Sequence, residues 1–447
     1  MKGRLAIVGA GWAGMAAAVK AADAGWDVTV FEAARTLGGR ARALVVELAD
    51  GRSLTLDNGQ HILIGAYRET LALMRHVGLD PQALLLRLPL ALPYPDGSGL
   101  ATPAWAARWP APLDAVAAIA TARGWSWRER AALVRTSLAW QRAGFACAPD
   151  ATVAALCEGL PARVRDELIE PLCVSALNVP THEASGEVFL RVMRDALFGQ
   201  GAEGFGASNL LLPRTDLGAL FPVAAQRWLQ QRHGERTRVH TGRRITGLRR
   251  HGTQWCLSSE AGEDCFERVI WATAATPAAQ AMAQVSDAPA PLRQWAEVAA
   301  ALPHTAITTV YAQAPGARLA APLLALRGGG TEAPAQFVFD RGQLAPQDPA
   351  AQGLLAFVVS ASGGEREELQ ARVLAQGARQ LGLPGLQALQ TVVEKRATFA
   401  CLPGQPRPGA VIAPGLWAAG DHVQGPYPAT LEGAVRSGIA AAHLALG

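Results

Sequence analysis

The sequence predicts an α/β protein: a Rossmann-type dinucleotide-binding domain, assembled from separated stretches of chain, carrying a second domain of mixed sheet and helices. Three observations predict it. The first stretch, about thirty residues long, spells a complete strand–turn–helix–strand unit. The C-terminal end spells a strand, a Gly-Asp pair and a helix, and between the two ends β-rich stretches follow a long helical block.

Residues 4–8 (RLAIV) are a short buried-strand run, and Gly9-Ala10-Gly11-Trp12-Ala13-Gly14 follows at once. The helical run MAAAVKAADAG and the strand DVTVFE, ending at Glu32, complete the unit. A bare G-x-G-x-x-G is weak. Gly199-Gln200-Gly201-Ala202-Glu203-Gly204 also fits, yet a charged helical run precedes it and no acid-terminated strand follows, so it reads as a loop. In the first match the glycines serve a tight turn, close approach to a pyrophosphate and close helix–strand packing, while the helix N-terminus offers unpaired N–H groups to phosphates. Glu32, 18 residues after Gly14, is placed to accept hydrogen bonds from ribose hydroxyls. Met1-Lys2-Gly3-Arg4 before an apolar run imitates a signal peptide, but a first strand entering a glycine turn accounts for the same residues.

Further along, residues 53–64 alternate as a strand, and residues 113–198 are mainly helical, interrupted by Pro149, Pro161, Pro171 and Pro180. Residues 216–233 read as one amphipathic helix, followed by strands at Arg238–His240, Arg243–Arg249 and Arg268–Thr273. The segments 305–313, 336–340, 354–360 and 390–399 are β-rich. Leu416-Trp417-Ala418-Ala419 is an apolar strand entering Gly420-Asp421, and Thr430-Leu431-Glu432-Gly433 opens a closing helix. The expected division is 1–75 with 216–285 and 397–447 for the nucleotide domain, and 76–215 with 286–396 for a substrate domain.

Half the residues are hydrophobic and 17% are charged, which excludes a disordered chain. The net charge of +4 comes from scattered arginines with no aromatic-basic ladder, so nucleic acid is not an expected partner. The six cysteines form no C-x-x-C pair and fit neither a zinc site nor a dense disulfide framework. They read as buried thiols in a reducing cytosol, and no metal is expected. No stretch supplies the roughly 18 uninterrupted apolar residues of a membrane span, so a soluble or peripheral protein is expected. No further nucleotide fingerprint appears. Electrons must therefore come or go by diffusion or through a separate donor.

After Glu32 the chain reads Ala33-Ala34-Arg35-Thr36-Leu37-Gly38-Gly39-Arg40. This resembles the second glycine motif of flavoprotein oxidoreductases related to amine oxidases and carotenoid desaturases. The resemblance implies FAD as cofactor and an FAD-binding domain of the amine oxidase and glutathione reductase type. It places Gly39 and Arg40 near the pyrophosphate, with Arg40 as a fixed multi-donor charge. In the same group the strand–Gly–Asp element, here Gly420 and Asp421, meets the ribityl chain. The helix start at Thr430, Leu431 and Glu432 meets the flavin pyrimidine edge. A backbone position like Ile245 meets the adenine. With Gly9, Gly11, Trp12, Ala13, Gly14, Glu32, Ala33, and the segment Asn58, Gly59, Gln60 and His61, these are the implied cofactor contacts. The cysteine context of covalent amine oxidases is absent, so the FAD is expected to be non-covalent.

Other segments narrow the resemblance: Leu56-Asp57-Asn58-Gly59-Gln60-His61 with Gly65-Ala66-Tyr67, Glu170-Pro171-Leu172-Cys173-Val174-Ser175-Ala176-Leu177-Asn178, Leu211-Leu212-Pro213-Arg214 and Gly425-Pro426-Tyr427-Pro428-Ala429-Thr430. Together they resemble the squalene-associated FAD-dependent enzymes of bacterial hopanoid pathways, the hydroxysqualene dehydroxylases, essentially end to end. The implied reaction is reductive: hydride from reduced flavin reaches the allylic carbon of a hydrophobic isoprenoid, hydroxysqualene, as its hydroxyl leaves as water. Hydroxide is a poor leaving group, so a proton donor must assist. His61 is the first candidate, because histidine titrates near working pH and its segment is placed near the isoalloxazine; the alternative is a structural histidine bonding flavin or a backbone carbonyl. Tyr427 is the second, the alternative being a packed aromatic in a Pro-bracketed turn. Asp57 reads as a positioning group. In amine oxidases a lysine near flavin N5 assists; Lys395 lies on a suitable late strand, but its neighbours leave its direction open. The competing readings are an oxidative desaturase of a linear isoprenoid, an amine oxidase, and a non-catalytic FAD-binding partner in a terpenoid complex.

So greasy a substrate resides in the bilayer. Residues 105–140 carry five of the 12 tryptophans, namely Trp105, Trp109, Trp125, Trp127 and Trp140, among Arg108, Arg123, Arg128, Arg130, Arg135 and, just beyond, Arg142. The expectation is a cytoplasmic protein touching the inner face of the cytoplasmic membrane through this stretch, Trp125 and Trp127 included. The alternative is a helical cap whose tryptophans fill the core.

Overall fold

The computed structural model describes residues 2–47, 51, 53–286, 288–328 and 330–447. Strand β1 (Lys2–Val8), helix α1 (Trp12–Asp23) and strand β2 (Trp26–Phe31) form the N-terminal unit. β1 pairs in parallel with β2 on one side and with Arg268–Trp271 on the other. Thr237–His240 adds outside β2, Leu416–Ala418 adds beyond Arg268–Trp271, and an antiparallel strand, Val411–Ala413, closes the edge of this mixed six-stranded sheet. A parallel sheet covered on both faces demands unbroken apolar strands, which is why β1 reads Leu5–Val8 without alternation. Its residues divide between two cores. Leu5 and Ile7 pack with α1, the helix Pro222–His233 and the closing helix Leu431–Leu446. Ala6 and Val8 pack with the helices Ala275–Ala283 and Ala290–Ala300 and with the small sheet Gly247–Phe266.

The second sheet is antiparallel throughout, in the order Leu323–Ala325, Phe337–Asp340, Leu354–Ser362, His304–Gln313, Gln387–Phe399. Helix Arg366–Leu381 covers one face through Leu369 and Val373. The other face, with Tyr311, Phe337, Phe339 and Val358, looks toward the helices between residues 113 and 198. The functional cavity lies there.

Four local readings are corrected. The strand expected over 53–64 is broken: Ser53–Asp57 and Leu63–Ile64 pair with different partners, and residues 58–62 leave the sheet between them. The helix expected over 216–233 divides into Leu217–Leu220 and Pro222–His233, because the residue before a proline is driven out of helical conformation, here Phe221 at φ −155°. Pairing in the strand expected over 243–249 begins only at Gly247. Residues 243–246 lie outside it, and the Arg243 N–H donates to the Glu32 carbonyl at the end of β2. Finally, Cys256 and Cys265 stand directly opposite each other in an antiparallel hairpin, Cα atoms 4.0 Å apart, and form a disulfide. Strand register put them together, which spacing alone could not show. Of the four remaining thiols, Cys157, Cys173 and Cys401 are buried and Cys147 is half-buried.

Candidate functional site

One cavity of about 860 Å³ runs from the C-terminal ends of β1 and β2 to the inner face of the second sheet. At its nucleotide end three glycines of one turn have three separate reasons. Gly9 has φ +108°, and a Cβ there would sit 2.7 Å from the Ala272 carbonyl oxygen. A Cβ on Gly14 would lie 1.9 Å from the Gly9 oxygen, so this glycine lets α1 pack against the turn. Gly11 is different. Its backbone is ordinary (φ −73°, ψ −177°), and the nearest atom to an added Cβ is 3.9 Å away, so the protein itself does not require glycine there. What Gly11 keeps open is the cavity, beside the start of a helix with no side-chain cap and no acid in its first turn. The Glu32 carboxylate is fixed at the rim by the N–H groups of Ala10 and Ala34, each at 2.8 Å. Ala33 and Ile245 also line this end. Uncapped N–H groups, a glycine needed only by a ligand and an acid placed for ribose hydroxyls fit the diphosphate and ribose of a dinucleotide.

Further in, residues 58–62 form a strap along the cavity wall. Asp57 anchors it: its buried carboxylate accepts from the Leu217 N–H at 2.8 Å and faces Arg341 at 3.6 Å. Burial pushes the Asp57 carboxyl up to about 6, against the pull of Arg341. Gln60 receives Arg341 on its oxygen, while its buried Nε2, at the same wall, has no hydrogen-bond partner among the described residues. Asn58 donates to the Arg40 carbonyl and to Glu394. Arg40, next to Gly39, is braced by the Ala397 carbonyl and by Asp421. Although burial opposes ionisation of Asp421, Arg40 and His422 hold its carboxyl well below the usual carboxylate range. His61 donates from Nδ1 to the Gly59 oxygen at 2.8 Å; a carbonyl only accepts, so this fixes the tautomer and leaves Nε2 without a proton. Burial, and then Arg40, press its pKa below the ordinary value, keeping the ring neutral.

Beyond the strap the walls become apolar. Leu100, Ile119, Leu133, Leu172 and Met193, from the stretch between residues 100 and 193, and Phe337 of the second sheet represent this lining. Few polar side chains break it. Tyr427 donates its hydroxyl to Asp195 at 2.6 Å, and burial with the neighbouring carboxylate pushes the phenol up to about 12. Ser208 donates to the buried Asp114. Asn178 bonds Thr305 and Thr398.

The flavin containing amine oxidoreductase family model matches residues 12–446. The chain belongs to the flavin containing amine oxidoreductases. It is similar to hydroxysqualene dehydroxylase of Rhodopseudomonas palustris, 28% identical over 98% of this chain and 97% of that one. A shorter stretch, 17% of this chain and 14% of the other, is 43% identical to zeta-carotene desaturase of Synechocystis. Cyclohexylamine oxidase from Brevibacterium oxydans superposes over 100% of this chain and 99% of its own, with TM-score 0.67 at 16% identity, which shows the shared fold. As a member of this family the protein is an FAD-dependent oxidoreductase.

Within that family frame the expected cofactor positions fall into two groups. Gly9, Gly11, Trp12, Ala13, Glu32, Ala33, Gly39, Arg40, Asn58 to His61, Ile245, Gly420, Asp421, Thr430 and Leu431 all border the one cavity, as does Tyr427. Gly14 and Glu432 do not. Gly14 serves helix packing, and the buried Glu432 carboxylate turns away to accept from the N–H groups of Glu69 and Thr70 at the start of helix α2 (Arg68–His76). Lys395 is exposed and outside the wall, where its strand presents Glu394, Ala397 and Thr398 instead. Cys401 is buried outside the wall, its thiol pushed up by burial to about 12, which suits a flavin held without a covalent bond. Asp195, Ser208 and Glu394 were missed. Each is a lone polar residue in an apolar or charged run, and only the fold brings it to the cavity.

Proposed function

We propose that this flavoenzyme reductively removes the hydroxyl of hydroxysqualene to give squalene. The observation that carries the reading is the cavity itself: a cleft suited to a dinucleotide opens into an apolar chamber whose polar side chains are few. A linear hydrocarbon bearing one hydroxyl matches that lining, and the relative similar along nearly its whole length carries the name of this activity.

Bound FAD, when reduced, supplies the hydride. The chain's part is to exclude water from the chamber, orient one C–O bond and deliver one proton to its oxygen. His61 is neutral with a bare Nε2, so its role is to accept the hydrogen bond of the substrate hydroxyl and fix its direction. Tyr427 is then the donor. With its phenol pushed up to about 12 it is protonated across the working range; its one proton rests on Asp195 in the free site, and the O–H turns about the C–O bond to the substrate oxygen to deliver it. So weak an acid suffices because the allylic position spreads the developing positive charge. The proton and the hydride together turn the C–O bond into C–H and water, and solvent restores the proton to Tyr427.

The test is anaerobic incubation of the purified protein with hydroxysqualene and reduced FAD, deuterium-labelled at the transferable hydride. Squalene carrying one deuterium is expected; squalene without the label would exclude direct hydride transfer. The desaturase similarity favours a second reading, oxidative desaturation of a linear isoprenoid in the same chamber. Oxidised FAD with an unsubstituted polyene precursor would then yield a new double bond, whereas the dehydroxylase reading expects no product.

A further inference from the structure

We propose that the face formed by the turn Ala104–Ala106 and the helix Leu113–Ala120 seats in an anionic lipid bilayer, and that this helix is the wall through which apolar substrate enters the chamber. Six of the ten large hydrophobic side chains exposed among the described residues fall between 105 and 138. Four of them crowd one stretch: Trp105 is 61% exposed, Trp109 46%, Leu113 52% and Val116 48%. The rings of Trp105 and Trp109 meet edge to face at 4.9 Å. Outside 105–138 the exposed large hydrophobics, Val45, Val393, Val411 and Leu444, are far apart in sequence. A contiguous exposed apolar group of this kind marks a contact surface.

Charge selects the occupant. Between residues 97 and 128 the ionisable side chains are Arg108, Asp114, Arg123 and Arg128, and Asp114 is buried. The exposed charges of the stretch are therefore three arginines, which complement anionic headgroups while tryptophans occupy the headgroup region. Arg128 lies over the ring of Trp127, 72% exposed, at the edge of the same region. Trp125, by contrast, is buried with its indole N–H on Glu167, and Trp140 is buried too, so they belong to the core rather than to this surface.

Position gives the surface its use. Leu113 and Val116 point outward, while Ala115 and Ile119 on the same helix line the chamber. A single helix thus separates lipid from substrate cavity. Entry through it rests on the substrate class proposed above; the docking does not.

The experiment uses FAD-loaded protein and sedimentation with vesicles of phosphatidylglycerol and phosphatidylcholine, compared with phosphatidylcholine alone. The wild type should pellet with the anionic vesicles and be released as salt is raised. Trp105→Ser with Trp109→Ser should weaken binding about tenfold or more. Arg108→Gln and Arg123→Gln should each weaken it about fivefold, on anionic vesicles only. Flavin content and melting temperature should not change in any of the three variants. Turnover should fall in the tryptophan variant for substrate delivered in vesicles and persist for substrate in detergent micelles. A wild type that stays in the supernatant, or variants that pellet as it does, would overturn the surface; so would a dimer in gel filtration that the tryptophan substitutions dissociate, since a second copy would then be the occupant. Vesicle binding without turnover of hydroxysqualene overturns the substrate assignment and leaves the surface standing.

Discussion

Gly11 and Gly14 are three residues apart, yet substitutions at the two should fail in different ways. Gly11→Val puts its side chain where only a ligand would be, so the protein should fold with a normal melting curve and purify without flavin absorbance. Gly14→Ala drives a methyl into the Gly9 carbonyl and should lower stability by several kcal/mol, with flavin lost because the fold is lost. A Gly11 variant with full flavin absorbance would sink the nucleotide assignment. Tyr427→Phe removes the proposed donor and keeps the ring; kcat should fall by about 10²–10⁴ with flavin content intact. His61→Ala, which loses an acceptor, should act on KM more than the tyrosine variant does. Asp57 gives a pH signature. Its carboxyl titrates higher folded, at about 6, than unfolded, at 3.8. Its contribution to stability is therefore complete below pH 3.8 and is lost as pH climbs through 6. Above pH 7 the ionised group costs on the order of 3 kcal/mol. Asp57→Asn, which imitates the neutral acid, should gain on the wild type between pH 4 and 7 in denaturant titrations; a pH-independent difference would contradict the shift.

At the scale of elements, Glu432 shows how a motif can be placed correctly in the chain and misjudged in its contacts. It begins the closing helix as expected, but its carboxylate caps α2 through the Glu69 and Thr70 N–H groups. Glu432→Ala leaves these donors unpaired and should cost about 2–4 kcal/mol in stability, while Glu432→Gln keeps most of it. In both, the folded fraction should retain its flavin spectrum; a direct flavin contact would instead lose flavin at unchanged melting temperature. The βαβ unit and the closing helix were legible because glycine turns and N-caps act within a few residues. The break at Phe221, the strap after Asp57 and the Cys256–Cys265 pair were not, since each depends on a partner or register set elsewhere in the fold. Periodicity likewise treated Trp125 and Trp127 alike, although one is buried and the other is 72% exposed.

For the molecule as a whole, chamber and cofactor cleft are one space, so its capacity sets the length of substrate that can reach the flavin. Ala176→Phe, on the apolar wall, should raise KM for the full-length isoprenoid more than for a shorter analogue, with flavin content unchanged; equal effects on both would place the residue outside the substrate path. The weave of the nucleotide sheet has a further consequence, which concerns birth rather than chemistry. The strand Leu416–Ala418 and the helix that packs on α1 come from the last stretch of the chain, while β1 comes from the first. At about 5–20 residues per second, the N-terminal unit leaves the ribosome tens of seconds before its sheet can be completed. During that interval the glycine turn lacks the Gly420-Asp421 side of its cleft. FAD capture therefore waits until that strand and helix have emerged, and a chain stopped short of residue 416 should be cleared by proteolysis rather than persist as a weak binder.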